Sequence, residues 1–157
     1  MKPRLYLETT IPSYLVARPS RDLRLAADQA TTRRWWDTKR VEYDLYVSGL
    51  VLEETAEGDA AMACARHAAL AGLPQLAQTP AVEGLAERIL SHGLIPLGAA
   101  PDAGHIALAA VHAMNFLLTW NCKHIANAMN RRRLEAVCAE AGLACPIICT
   151  PDALLGT

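Results

Sequence analysis

Residues 116–127 read FLLTWNCKHIAN: an apolar run that ends on Trp120 and hands over to Asn121, with His124 three positions on. A short, wholly apolar segment bounded by turn formers reads as a strand. Upstream, PDAGHIALA repeats the arrangement on a helix, with Asp102 and His105 three positions apart. Asn121 and Asp102 are therefore either helix caps or ligands of something held between two elements.

Working outward, RLYLE (4–8) alternates, YDLYVSG (43–49) is rich in β-formers, and PIICT (146–150) is a further apolar run. These are strands, and QLAQT (75–79) is a weaker one between Pro74 and Pro80. Helical stretches fall at 22–40, 50–57, 60–71, 81–92, 102–114 and 122–141, and glycines 58, 72, 93 and 142 lie just past four of them. Strands separated by helices require crossover connections, so the chain is expected to be an α/β domain around a mainly parallel sheet.

The 157 residues suffice for one domain that buries roughly two thirds of its unfolded surface. With 52% hydrophobic and 20% charged residues the composition is globular and not disordered. No apolar stretch approaches the roughly 20 residues of a membrane span, and MKPRLYLETT lacks the apolar segment of a secretory leader, so a cytoplasmic protein with no membrane contact is expected. Five cysteines without a CxxC pair suggest buried free thiols and not a disulfide framework. The net charge of −1 offers no global attraction to nucleic acid, so any basic surface has to be local.

In parallel α/β sheets ligands bind beyond the carboxyl ends of the strands, and acids collect there in this chain. Glu8 ends the first strand; the alternative is a solvated glutamate leading into a helix with Thr10 as its cap and Pro12 in its first turn. In LVLEETAEG, Glu54 shares the apolar face of Leu50 and Val51, whereas Glu53 pairs with Glu57 on a more polar face, so Glu54 is the inward acid. Asp102 opens the helix whose apolar stripe is Ile106, Ala109 and Ala110. Three carboxylates and Asn121 converging on one sheet edge would repel one another unless a divalent cation neutralised them, and oxygen donors favour Mg²⁺ or Mn²⁺. The histidines leave zinc or iron as the alternative.

The segments RLYLETTIPS, VSGLVLEE, DAGHIALAAVH and FLLTWNCKHIAN, in this order and spacing, resemble the PIN-domain family of metal-dependent ribonucleases. That family includes the toxins of virulence-associated B/C toxin–antitoxin pairs. The resemblance covers nearly the whole chain and implies a single PIN-like domain over 1–157, a three-layer α/β/α fold with about five strands in the order 3-2-1-4-5. It also implies a metal-dependent endoribonuclease that hydrolyses RNA phosphodiesters.

The family's four acidic positions fall on Glu8, Glu54, Asp102 and Asn121, two of which depart from its usual type. Glu at 8 keeps the charge on a longer arm; Asn at 121 removes a charge but keeps a carbonyl oxygen. On this reading Glu8, Asp102 and Asn121 hold the metal, Glu54 positions water or a second ion, and Thr119, His105 and His124 orient the carboxylates. A metal shell that includes an imidazole is the alternative. Lys123, beside the site, is the expected phosphate contact, while Arg131, Arg132 and Arg133 read as a solvated face. The toxin branch further implies a small antitoxin protein as partner and a homodimer. Loss of the fourth acid motivates the competing expectation of a PIN-like domain that binds RNA or protein without cleaving.

Overall fold

The computed structural model describes residues 1–156. Its five strands are β1 (Arg4–Leu7), β2 (Asp44–Ser48), β3 (Gln75–Leu76), β4 (Phe116–Leu118) and β5 (Ile147–Cys149). They form one sheet in the order β3-β2-β1-β4-β5, and every pairing is parallel. Seven α-helices connect and cover them: α1 (Thr10–Val16), α2 (Leu23–Thr38), α3 (Gly49–Thr55), α4 (Ala60–Leu70), α5 (Pro80–Ser91), α6 (Ala100–Val111) and α7 (Arg131–Glu140). The result is the three-layer α/β/α arrangement in the expected strand order.

Central β1 is closed to solvent over most of its length. Leu5, Tyr6 and Leu7 are all 0% exposed, so the alternation of RLYLE does not mark a wet face: helices cover both sides, as a central parallel strand requires. Tyr6 pairs in register with Tyr46 on β2 and Leu117 on β4. Around this strand the core gathers Ile11 of α1, Trp35 of α2, Val51 of α3, Ile89 of α5 and Ile106 and Leu108 of α6. Trp35 is fully buried, while Trp36 is half-buried with the Arg40 guanidinium 5.1 Å above its ring.

Helix α6 is the one most deeply set, with Ala103 and every residue from His105 to Ala110 buried. Its small side chains let neighbouring elements come close; a Cβ at Gly104 would lie 3.2 Å from Leu50 Cδ2. That approach brings α3 and α6 together, and with them the acids each carries.

Four expectations are corrected. The stretch 122–141 is not one helix: Asn121 closes a single turn, a 3-10 helix covers Ala128–Asn130, and α7 begins at Arg131. Asn121 and Asn127 each take a backbone N–H with their side chains, which competes with helix continuation. Thr10 is not a cap but lies inside α1, with its hydroxyl turned to Glu8. Asp102 is not a cap either; Ala99 occupies that position, and Asp102 sits in the first turn of α6. Of the five free thiols only Cys138 is buried, since Cys145 and Cys149 are half-buried and Cys64 and Cys122 exposed. As expected, glycines end the helices where the chain must turn left-handed: Gly93 and Gly142 have φ of +69° and +74°. No helix among the described residues is long and apolar enough to cross a membrane.

Candidate metal centre

Strand order reverses between β1 and β4, and the carboxyl ends of these two strands open the crevice in which such sheets bind ligands. Glu8 follows β1 directly, Thr119 and Asn121 follow β4, and α3 begins where β2 ends. The side chains of Glu54 and Asp102 come in from α3 and α6.

Glu8 is 4% exposed. Its Oε1 accepts from Thr119 Oγ1 at 2.6 Å and from the hydroxyl of Thr10 at 2.5 Å, with the Thr10 N–H at 3.2 Å. No donor reaches Oε2 and no basic side chain lies within ion-pair distance of the carboxylate among the described residues. Thr10 also accepts the Trp120 N–H at 2.8 Å, and Thr119 accepts the Asn121 N–H at 2.9 Å. Two threonines thus lock the ends of β1 and β4 around one glutamate.

Glu54 receives Thr9 Oγ1 and His105 Nε2 on the same oxygen, each at 2.6 Å. Burial raises its pKa, but the hydrogen bonds from His105 and Thr9 outweigh that cost, so the group lies below the ordinary carboxylate value. Glu53, its neighbour, is exposed. His105 is wholly buried, and its Nδ1 lies 2.7 Å from the Tyr6 hydroxyl, which lies 2.8 Å from Ser48 Oγ. Ser48 Oγ in turn caps α3 by accepting the Val51 N–H. Burial drives the Tyr6 phenol far above its usual range, so it stays a neutral hydroxyl that both donates and accepts.

Asp102 is held by His124, whose Nδ1 lies 2.9 Å from Oδ2. The Asn121 amide oxygen accepts the His124 N–H at 3.0 Å, which orients the amide and leaves Nδ2 as its free end. Asn121 is therefore half cap and half site: its oxygen is engaged in a turn, and its outward group is a donor.

Each carboxylate is gripped through one oxygen while the other carries no protein donor. The tightest grouping of ligand atoms is Glu8, Glu54 and His105, all within 4.8 Å of one another. This cluster can hold a metal ion. Asp102 stands outside that grouping, hydrogen-bonded to His124, and Lys123 is exposed on the same turn as His124. Arg131, Arg132 and Arg133 are exposed. A cavity of about 280 Å³ beyond His124, lined by Ile95, Ile125, Leu134 and Ile148, lies away from Glu8 and Glu54.

Tyr6, Thr9 and Ser48 are site residues that the sequence pattern did not single out, and Thr10 was expected only as a helix cap. The two threonines after Glu8 were the available signal, being hydroxyl donors next to an acid at a strand end. Tyr6 and Ser48 gave none, because their partners lie 99 and 42 residues away. Compared with protein-family models, curated proteins and solved structures, the chain finds no match in any of the three.

Proposed function

We propose that the protein is a divalent-metal-dependent endoribonuclease of the PIN type. The observation that carries this reading is Glu8: a carboxylate 4% exposed, with its donors crowded on one oxygen and no cationic side chain in reach among the described residues. Buried charge of this kind is costly unless a cation offsets it. Glu54 beside it and Asp102 on the neighbouring helix supply further oxygen donors, the chemistry preferred by Mg²⁺ or Mn²⁺. When bound, such an ion supplies charge neutralisation at the phosphate and a more acidic water.

The chain's own residues do the rest. Thr10 and Thr119 fix the Glu8 carboxylate through Oε1, and its Oε2 has no protein donor among the described residues. Thr9 and His105 fix Glu54 through Oε1, and His124 fixes Asp102 through Oδ2. Glu54, ionised at neutral pH, can accept a proton from an attacking water or align it. The Asn121 Nδ2 and the exposed Lys123 are donors suited to phosphate oxygens. A small antitoxin protein and a second copy of the chain are the partners that the PIN reading implies.

Purified protein incubated with single-stranded and structured RNA and Mn²⁺ tests the proposal. Cleavage should stop with chelator, with Glu54→Gln and with Asp102→Asn; cleavage that survives both substitutions overturns it. A second reading, RNA binding without cleavage, is favoured by Asn121, whose oxygen is engaged with the His124 N–H. Metal-independent RNA binding with no products would select that reading.

A further inference from the structure

We propose that His105 is itself a ligand, through Nε2, and that the centre Glu8–Glu54–His105 selects first-row transition ions over magnesium. This deepens the metal-dependent reading above and rests on it. His105 Nε2 belongs to the three-residue grouping whose donor atoms lie within 4.8 Å, a grouping from which Asp102 is absent.

What stands behind the ring is the second argument. A histidine that ligates through one nitrogen carries its proton on the other and donates it to a fixed acceptor. Here Nδ1 faces the Tyr6 hydroxyl at 2.7 Å, and that hydroxyl has Ser48 Oγ as its own acceptor at 2.8 Å. The chain His105 Nδ1–H to Tyr6, then Tyr6 O–H to Ser48, is satisfied at each step with Nε2 unprotonated. Ser48 is anchored by the Val51 N–H, and both it and Tyr6 are at most 1% exposed. Nε2 itself lies 2.6 Å from Glu54 Oε1, so one cation would meet both atoms.

An imidazole in the donor set changes which ion wins. Mg²⁺ takes oxygen ligands and keeps its waters, whereas imidazole suits Fe²⁺ and Zn²⁺ and is tolerated by Mn²⁺, which otherwise prefers oxygen. Glu8, buried and without a cationic partner among the described residues, is a further sign that a cation belongs here.

Pulsed electron paramagnetic resonance on the full chain loaded with Mn²⁺ reads the bond directly, because a coordinated imidazole nitrogen modulates the echo. Modulation is expected in the unmodified protein and in His124→Gln, and its loss in His105→Gln. A variant in which His105 is the only one of the five histidines left should keep it, which covers the case in which His105→Gln fails to fold. Tyr6→Phe should keep the modulation but weaken Mn²⁺ binding by about 10- to 100-fold. Mg²⁺ in about hundredfold excess should leave Mn²⁺ bound unless His105 is replaced. Bound Mn²⁺ without nitrogen modulation, modulation that survives His105→Gln, or displacement by equimolar Mg²⁺ overturns the proposal. RNA cleavage without modulation would leave the ribonuclease reading standing, and modulation without cleavage would do the reverse.

Discussion

Thr119 Oγ1 donates to Glu8 Oε1 at 2.6 Å across 111 residues of chain, and the same oxygen accepts the N–H of Asn121 at 2.9 Å. One hydroxyl therefore sets both the rotamer of a buried carboxylate and the course of the backbone leaving β4. Thr119→Val keeps the shape and removes both bonds. Because a buried acceptor and a backbone donor lose a partner, the folded state should lose about 1–3 kcal/mol, measurable as a lowered urea midpoint. An unchanged midpoint would mean that Glu8 is held by Thr10 alone.

Glu54 makes stability depend on pH. Its folded pKa lies below that of an ordinary carboxylate, because the bonds from His105 and Thr9 outweigh burial. The unfolded chain thus binds more protons in acid, so the contribution of Glu54 is complete above the unfolded value and drains away as pH falls through the lower folded value. Urea midpoints followed from about pH 6 to pH 3 should fall more steeply in the unmodified protein than in Glu54→Gln. Parallel curves would refute the linkage.

Asn121→Asp places a carboxylate beside the cluster without disturbing the turn, since a carboxylate oxygen can still accept the His124 N–H. Added negative charge should tighten Mn²⁺ binding by about tenfold or more and raise any RNA cleavage with it. Titration calorimetry with Mn²⁺ checks the first part. Equal or weaker affinity would place Asn121 outside the metal's reach.

Lys123 is exposed beside the turn that carries His124. If it meets a phosphate, Lys123→Ala should weaken RNA binding evenly across sequences and reduce the salt slope by about one charge. Binding measured at several salt concentrations decides this, and an unchanged slope rejects the contact.

Trp35 fills the space between α2 and the sheet with no exposure, yet its Nε1 has no partner among the described residues. Trp35→Ala should cost about 3–5 kcal/mol through the cavity it leaves. Trp35→Phe should cost distinctly less, because it also deletes the unpaired donor. Denaturant unfolding of the two variants tests the ordering.

Local pattern was enough for the framework. The apolar runs of β2, β4 and β5, the glycines after four helices and the acid after RLYL are all short-range features, and they locate the elements and the sheet edge at which the acids gather. Choosing Glu54 over Glu53 needed only helical spacing, and the structure has Glu53 exposed and Glu54 bonded to Thr9 and His105. The break after Asn121 was harder to see, because a run with helical periodicity conceals side chains that prefer to bond their own backbone.

What the amino-acid sequence determined by itself was the α/β class, the parallel sheet and the inventory of acids, since periodicity and turn chemistry act over a few residues. Which acids meet was decided by the tertiary structure alone. His105 joins Glu8 and Glu54, and Asp102 pairs instead with His124, because α6 packs against α3 at Gly104 and Leu50 and so aims one ring at Glu54. The Tyr6–His105 and Thr119–Glu8 bonds span 99 and 111 residues, and interactions that close only when distant segments pack leave no trace in local spacing.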